Sequence, residues 1–382
     1  MKSERNIWVP ILMIVLLLGS SAATCFWPSE SQEIEFTLTG EVTGISSWNQ
    51  PLTDIKVDEV YEYGVGIGST FTVDIGDLTL TDAILMTNYL GAFVFDMMVN
   101  IESDGYLSIV CMGQRLNIDA GEDVTLTYTG PSERYEKTPH YNVNYTSKRA
   151  DYPSDEVFAN FYEVTGGDLK SGILYRSFSP LNTPDKQSRS AYVSELAEEA
   201  GIQFDIALSY SDATVQKACE TVEGYIVDLC KEGKYVAPNM NYSYFQEKEK
   251  TVMVLESILD NDGAYLIHCN VGRDRTGYVV LLLQALCGCT PDEMKECEAR
   301  AFCNLHHIVP GSEEYKTVVD CTYTRNMYFI ANPDKISEIL YVDWSEVSVD
   351  GVDTYTAAYE YCTEYLGMSD ERVMELRDKL CD

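Results

Sequence analysis

The part of the chain that follows the N-terminus carries the alternation of apolar and polar side chains that is typical of β-strands. Clear examples are residues 34–39, 70–75, 106–110 and 124–128, with Gly or Asp turns between them. Because successive side chains of a strand point to opposite faces, this pattern predicts strands with one buried face. We therefore expect a small β domain over residues 35–130.

The second half of the chain has a different spacing, in which helices alternate with short strands. Helical spacing is found over residues 190–200, 213–231 and 246–259. The apolar run 264–267 predicts a short strand, and 277–286 predicts a helix that is apolar nearly all round and therefore buried. A strand, a glycine-containing loop and a buried helix in this order indicate an α/β domain with a central sheet flanked by helices.

A polar stretch, residues 131–154, separates the two patterns, and we interpret it as a linker. The α/β domain then covers residues 155–382. Its last part, 320–382, has helical spacing, and Ser369 is expected to cap the final helix because acidic residues follow it in the first turn.

The composition is that of a folded protein, since 45% of the 382 residues are hydrophobic and 11% are aromatic. The charge balance is strongly acidic: 27 Lys and Arg face 61 Asp and Glu, a net charge of -34. A field of this sign repels nucleic acid, which we exclude as a partner. Any anionic ligand would have to be captured by local cations acting within a Debye length of roughly 8 Å.

The first 24 residues, 1–24, have the pattern of a secretion signal, with early basic residues, an apolar run and small residues before Cys25. This cysteine is similar to the lipidated cysteine of bacterial lipoprotein signals, and residues 25–34 would form the lipid-anchor region or a linker. Cleavage after Ala23 and an uncleaved membrane anchor are the alternatives. We expect an exported protein, either a cell-surface lipoprotein attached to the membrane through Cys25 or a secreted protein.

The loop between the predicted strand and the buried helix carries the most specific chemistry of the sequence. It reads His-Cys-Asn-Val-Gly-Arg-Asp-Arg-Thr-Gly over residues 268–277. Successive backbone N–H groups curled at a helix N-terminus bind the oxygens of a phosphoryl group, and we expect residues 270–275 to form such a cradle. Gly272 allows a backbone conformation there that a side chain would obstruct.

Cys269 and Arg275 have complementary tasks in this loop. Arg275 offers a planar fork that matches two phosphoryl oxygens. The N–H groups and helix dipole that bind phosphate also lower the pKa of the Cys269 thiol, and the thiolate is a nucleophile. We expect Thr276 to donate its hydroxyl to this thiolate and His268 to fix the orientation of the cysteine.

A cysteine, five residues, an arginine and a threonine, with a histidine before them, resemble the signature of the protein tyrosine phosphatase superfamily. Residues 272–277 are similar to the Gly-Lys-Asp-Arg-Thr-Gly of the bacterial tyrosine and phosphoinositide phosphatase family, and 174–177 and 288–294 resemble further landmarks of it. The match covers about residues 155–320. It implies a phosphomonoester hydrolase without metal or cofactor that forms a cysteinyl-phosphate on Cys269.

The resemblance also implies the substrate and the phosphate-binding residues. The substrate would be a phosphorylated protein, phosphotyrosine first, or a phosphoinositide or inositol phosphate. The residues implied to bind phosphate are Asn270, Val271, Gly272, Arg273, Thr276 and Gly277.

Two departures from the family pattern affect the expected mechanism. Arg273 replaces a lysine, which keeps the charge and favours substrates with more than one phosphate. Residues 206–209 lack the carboxylate that often ends this strand in the family. The general acid is then expected to be Asp274 in the loop, with Asp212 as the second candidate.

Several alternatives stay open. The cysteines and histidines between Cys287 and His307 invite a metal site, but their spacing is not that of a zinc finger, and we favour core cysteines with one disulfide among them. Arg176 is either a phosphate contact or part of a structural ion pair.

Residues 87–124 resemble the C-terminal β domain of S-adenosylmethionine hydroxide adenosyltransferases, but no transferase half accompanies them, so we favour a binding or spacer role. The alternative to an enzyme is a surface protein that binds phosphorylated ligands without turnover.

Overall fold

A computed structural model of the chain describes residues 34–46, 50–87, 92, 96–113, 115–133, 135, 146, 148–182, 187–337 and 344–382. The expected leader, Cys25 and half of the expected linker lie outside these residues. Within the described ranges, no helix is both long enough and apolar enough to cross a bilayer.

In the described part of the chain, the first seven strands form a closed barrel. These strands are β1 (Thr37–Ile45), β2 (Pro51–Lys56), β3 (Ser69–Ile75), β4 (Leu78–Met86), β5 (Met97–Ile101), β6 (Tyr106–Cys111) and β7 (Asp123–Pro131), and a short helix α1 (Val57–Tyr61) follows β2. Their order around the barrel is β1-β2-β6-β5-β4-β3-β7, and pairing of β1 with β7 closes it. All neighbours are antiparallel except β4 and β5, which are parallel.

Strands β5 and β6 and the second half of β4 have both faces buried, whereas β1 alternates between buried and exposed residues. In β4, Ala83 and Leu85 belong to the core inside the barrel, while Ile84 and Met86 belong to the core of the following domain. An apolar sequence without alternation is typical of a strand that is covered on both sides. The barrel is therefore attached to the second domain by apolar packing of its outer surface.

The second domain contains, in its described residues, a five-stranded sheet. Its strands are β8 (Tyr162–Glu163), β9 (Leu174–Ser177), β10 (Ile202–Ala207), β11 (Tyr235–Val236) and β12 (Ala264–His268). They lie in the order β11-β10-β12-β9-β8, and all pairs are parallel except β8 with β9. Because β12 is central, the residues after it lie at the carboxyl edge, between the ends of β9 and β10.

Helices pack against both faces of this sheet. They are α2 (Asp155–Ala159), α3 (Gln187–Glu199), α4 (Asp212–Thr221), α5 (Tyr225–Lys231), α6 (Lys248–Asp260), α7 (Asp274–Leu286), α8 (Pro291–His306), α9 (Glu313–Val319), α10 (Arg325–Ala331), α11 (Thr354–Glu360) and α12 (Asp370–Leu380). Within β12, Leu266 packs in the cluster formed with α3, α4 and α5, while Tyr265 and Ile267 pack in the cluster that contains α6 and α7. The chain is thus a mixed α/β protein in which a β-barrel precedes an α/β domain.

The prediction of one helix over residues 213–231 is wrong, because the structure has two. Helix α4 ends at Thr221 and α5 begins at Tyr225. Gly224 lies between them with a φ of +141°, and a Cβ there would stand 2.6 Å from the Ser194 hydroxyl oxygen of α3. The chain breaks the helix here so that its backbone can approach α3 closely.

The predicted cap of the last helix is confirmed. The Ser369 hydroxyl accepts a hydrogen bond of 3.3 Å from the backbone N–H of Arg372, in the first turn of α12.

Candidate active site

The loop predicted to bind phosphate connects β12 to α7 at the carboxyl edge of the second sheet. Cys269 directly follows the last residue of β12, and α7 begins five residues later at Asp274. Every residue of α7 is buried. The N-terminus of this helix and its unpaired N–H groups are therefore held in a fixed position beside the loop.

The carbonyl oxygens of residues 270–273 point away from the centre of the loop and are bonded by neighbouring segments. Asn270 O accepts from Ser179 N–H (3.3 Å) and the Asn182 amide (3.5 Å), Val271 O from the Asn160 amide (3.2 Å), Gly272 O from Arg176 (3.1 Å), and Arg273 O from Arg176 (3.3 Å) and Gly277 N–H (2.8 Å). In contrast, no N–H group of residues 270–275 has a backbone acceptor among the described residues. Because C=O and N–H of one trans peptide point in opposite directions, these N–H groups face the inside of the loop, an arrangement that is suited to an anion.

Arg176 links this loop to helix α8. Its buried guanidinium donates to the Glu298 carboxylate at 2.8 Å, in addition to its bonds with the loop carbonyls. The second Glu298 oxygen accepts from the Asn326 amide at 3.0 Å. These contacts favour the structural ion pair over a phosphate contact as the role of Arg176.

Gly272 is required by the shape of the loop. Its φ is +70°, a region that residues with a side chain rarely adopt. A Cβ at this position would also lie 2.0 Å from the carbonyl oxygen of Ser177. The loop can approach the end of β9 only because this side chain is absent.

Cys269 lies inside the loop and is 2% exposed. Burial alone would raise the pKa of its thiol, but the Arg275 guanidinium, the Thr276 hydroxyl and the N–H of Arg273 outweigh burial and lower the pKa to about 7. A large share of Cys269 is then thiolate at neutral pH, and the thiolate is the reactive form.

Arg275 is oriented by two contacts outside the loop. One terminal nitrogen donates to the carbonyl oxygen of Met240 at 2.9 Å, and the guanidinium lies 4.8 Å from the ring centre of Tyr242. Its Nε is buried and has no hydrogen-bond partner among the described residues. A buried donor of this kind is costly unless it is used, so Arg275 has an N–H group available for an anion in the loop.

His268 supports the loop from the end of β12. Its Nδ1 lies 3.1 Å from the carbonyl oxygen of Cys269, and its Nε2 lies 3.2 Å from the carboxylate of Asp205 in β10. Burial alone would lower the pKa of His268, but Asp205 and the Cys269 carbonyl outweigh it and raise the pKa. Both ring nitrogens face acceptors, and only the protonated imidazole can donate to both.

The side chain of Arg273 contacts the barrel. Its guanidinium donates to the carbonyl oxygen of Ala92 at 2.9 Å and to Asp274 at 3.0 Å, and it lies 3.2 Å from His306 Nε2. The group also lies 4.5 Å from the ring centre of Phe302. The backbone N–H of Arg273 belongs to the loop, whereas its side chain is occupied by contacts between the two domains.

The two candidates for the general acid lie in different surroundings. Asp274 is 8% exposed, and its Oδ1 is buried without a hydrogen-bond partner in the described part of the chain. Its negative charge raises the pKa of Cys269, in the opposite direction to the effect of Arg275. Asp212 is exposed in the first turn of α4, and its carboxylate lies beside the hydroxyl of Tyr235. Of the two, the structure brings Asp274 together with Cys269.

Sequence spacing does not single out several residues that the structure places around the loop. These are Asn160, Asp205, Tyr210, Tyr242 and Glu298. A signal exists for Asp205, because a lone acidic residue among the apolar residues of a strand needs a partner. No comparable signal exists for Tyr242, which lies in a polar segment.

The cysteines and histidines near helix α8 have separate environments. No disulfide joins any of the eleven cysteines that the structure describes, so the expected disulfide is not observed among them. His306 faces Arg273, and His307 packs against Tyr152 with ring centres 4.7 Å apart. Over the described residues, no group of His, Cys, Asp and Glu side chains is arranged to hold a metal ion.

Comparison with known proteins identifies the family of this chain. A solved structure that matches part of the chain is an uncharacterized conserved protein from Thermotoga maritima, with 19% identity and a TM-score of 0.22. That match covers 24% of this chain and 35% of the other. No curated protein matches. The model of the tyrosine phosphatase family matches residues 160–382, more than half of the chain and the whole of the loop described above. The chain therefore belongs to the tyrosine phosphatase family.

Proposed function

We propose that this phosphatase hydrolyses phosphate monoesters, protein phosphotyrosine first, through a cysteinyl-phosphate on Cys269. The observation that carries the proposal is a thiol with a pKa of about 7 inside a loop whose N–H groups face inward. A nucleophile and an anion site coincide there, as phosphoryl transfer by a cysteine requires.

In the first step the Cys269 thiolate attacks phosphorus, and an S–P bond forms while the P–O bond to the leaving group breaks. The loop N–H groups and Arg275 hold the peripheral oxygens of the phosphoryl group, whose charge is spread over them in the transition state. The leaving oxygen takes a proton from Asp274, which must be protonated for this step.

In the second step water attacks phosphorus and the S–P bond breaks. The Asp274 carboxylate accepts a proton from the attacking water, inorganic phosphate leaves, and Cys269 returns as a thiolate. Among the described residues, Oδ1 of Asp274 has no hydrogen-bond partner, and this and its place beside Cys269 support the assignment. Asp212 is the second candidate. No step uses a metal ion or an organic cofactor.

The proposal is tested by hydrolysis of p-nitrophenyl phosphate in the presence of EDTA. We expect turnover that vanadate inhibits and that is lost in Cys269→Ser. Mass spectrometry of acid-quenched wild-type protein should find one phosphoryl group on the peptide that contains Cys269. Tight binding of phosphate esters by wild-type protein without turnover would instead make the chain a binding protein.

We also propose, from the pattern of residues 1–24 alone, that the protein is exported and is either anchored through a lipid on Cys25 or secreted. Its substrate would then be a phosphorylated protein, or a phosphoinositide, outside the cytoplasm. Membrane fractionation of the wild-type protein and of Cys25→Ala tests the anchor, since only the wild type should remain with the membrane.

A further inference from the structure

A cavity of about 380 Å³ lies between the barrel and the phosphatase domain. Gln50, Met112 and Arg115 line it from the barrel, and Asn241, Tyr242 and Lys250 line it from the phosphatase domain. Its size is at the low end of ligand pockets and is suited to one or two side chains rather than to a large cofactor.

The cavity adjoins the phosphate loop through residues 239–243. The carbonyl oxygen of Met240 accepts the hydrogen bond from Arg275, and the Tyr242 ring lies over the Arg275 guanidinium. Asn239 and Asn241, on either side of Met240, line the cavity. One short segment therefore orients the phosphate-binding arginine and forms a wall of the cavity.

The charges that line the cavity sum to one positive charge. Lys250 is paired with Glu247 at 2.7 Å and donates to the carbonyl oxygen of Asn239 at 2.5 Å. Arg115 is the third charged residue of the lining, and no ion pair of Arg115 is found in the described part of the chain. Within the described residues, an exposed cation without an ion-pair partner in the wall of this cavity is notable on a chain with a net charge of -34.

We propose that this cavity is a substrate subsite in which Arg115 of the barrel binds an acidic side chain next to the phosphotyrosine of a protein substrate. This inference rests on the proposed function, because it needs a phosphotyrosine peptide in the loop. It gives the barrel a role in substrate selection, since the barrel supplies the cation while the phosphatase domain supplies the catalytic loop.

The test compares two phosphotyrosine peptides that are identical except that one has glutamates beside the phosphotyrosine and the other has glutamines. We expect wild-type protein to prefer the acidic peptide by about threefold to tenfold in kcat/KM, the range of a partly exposed ion pair. The preference should fall to about one in Arg115→Gln and reverse in Arg115→Glu. It should also shrink with added salt, which screens the pair.

The matched control is Lys56→Gln, which removes one positive charge from the barrel at the other end of β2 from Gln50. Lys56→Gln changes the net charge by the same amount as Arg115→Gln. If the acidic preference survives in Lys56→Gln but is lost in Arg115→Gln, the preference depends on the position of Arg115 and not on the net charge. Because each preference is a ratio within one variant, a general loss of activity cancels.

Three outcomes overturn the inference. If wild-type protein cleaves both peptides equally, or if Arg115→Gln keeps the acidic preference, the subsite is refuted while phosphotyrosine hydrolysis stands. If p-nitrophenyl phosphate is cleaved but neither peptide is, phosphotyrosine protein is not the substrate and the subsite is rejected with it. If wild-type protein cleaves none of the three, the proposed function itself fails.

Discussion

Arg176 donates a hydrogen bond of 3.1 Å to the carbonyl oxygen of Gly272, although 96 positions separate the two residues in the chain. The same guanidinium is paired with Glu298. This buried pair holds the carbonyls of Gly272 and Arg273 outward, and hence the N–H groups of Arg273 and Asp274 inward.

We therefore expect Arg176→Ala to destabilise the fold strongly. Removing one partner leaves Glu298 buried without its counter-charge, which costs about 3–5 kcal/mol of unfolding free energy. Urea unfolding measures this loss. Lys231→Ala is the control, because Lys231 forms an exposed pair with Asp228 and its loss should cost less than about 1 kcal/mol. Similar losses of unfolding free energy in the two variants would show that the buried Arg176–Glu298 pair contributes no more to stability than an exposed pair.

The pH dependence of Cys269 reactivity provides a second prediction. Alkylation by iodoacetamide should rise with pH around a midpoint near the pKa of about 7. Thr276→Val removes a hydroxyl that stabilises the thiolate, so the pKa should rise and the midpoint should move to higher pH. Thr276→Ser keeps the hydroxyl and should keep the midpoint. An unchanged midpoint in Thr276→Val would show that the Thr276 hydroxyl does not stabilise the Cys269 thiolate.

Cys289 and Cys303 should not interfere with this measurement. Burial raises the pKa of Cys289 to about 12 and that of Cys303 to about 11. Their thiols stay protonated near neutral pH and react slowly. Peptide mapping after brief labelling at pH 7 should therefore find more label on Cys269 than on these two.

The proposed catalytic loop is the part of the site that the sequence predicts best. Residues 268–277 are contiguous, so one short segment shows the proposed nucleophile, the glycine and the arginine together. The Arg176–Glu298 pair joins residues 122 positions apart, and no local pattern reveals such a contact. The apolar runs of β4 and β5 likewise indicate burial, but only the folded chain shows that the phosphatase domain covers the outer face of the barrel.

Replacing Arg275 by lysine separates charge from geometry. Lysine keeps the positive charge beside Cys269 but cannot offer two parallel N–H donors. We expect kcat to fall by about 10²- to 10³-fold, the usual loss when a transition-state donor is removed. The alkylation midpoint of Cys269 should move much less. A wild-type kcat in Arg275→Lys would falsify the bidentate role.

The general acid is tested with two leaving groups. p-Nitrophenolate leaves without much protonation, whereas an alkyl alcohol needs a proton in the transition state. Asp274→Asn should therefore reduce kcat for an alkyl phosphate at least about tenfold more than for p-nitrophenyl phosphate. Asp212→Asn, the matched control, should reduce both rates to the same small extent. If instead the substrate-dependent loss appears in Asp212→Asn, Asp212 is the acid.

The last prediction concerns Arg273, whose guanidinium bonds with Ala92 of the barrel and with Asp274 and lies beside His306. Arg273→Ala should lower the Tm, because it leaves buried acceptors unpaired and breaks a contact between the domains. The family resemblance favours a second role, in which this cation selects substrates with more than one phosphate. A panel of phosphotyrosine peptide, phosphoserine peptide, inositol lipid and inositol hexakisphosphate separates the two roles. Because the described contacts occupy the side chain, we expect the ratios of kcat/KM across the panel to stay within about twofold of wild type, a difference below roughly 0.5 kcal/mol. A selective loss on inositol hexakisphosphate would show that Arg273 reaches the substrate.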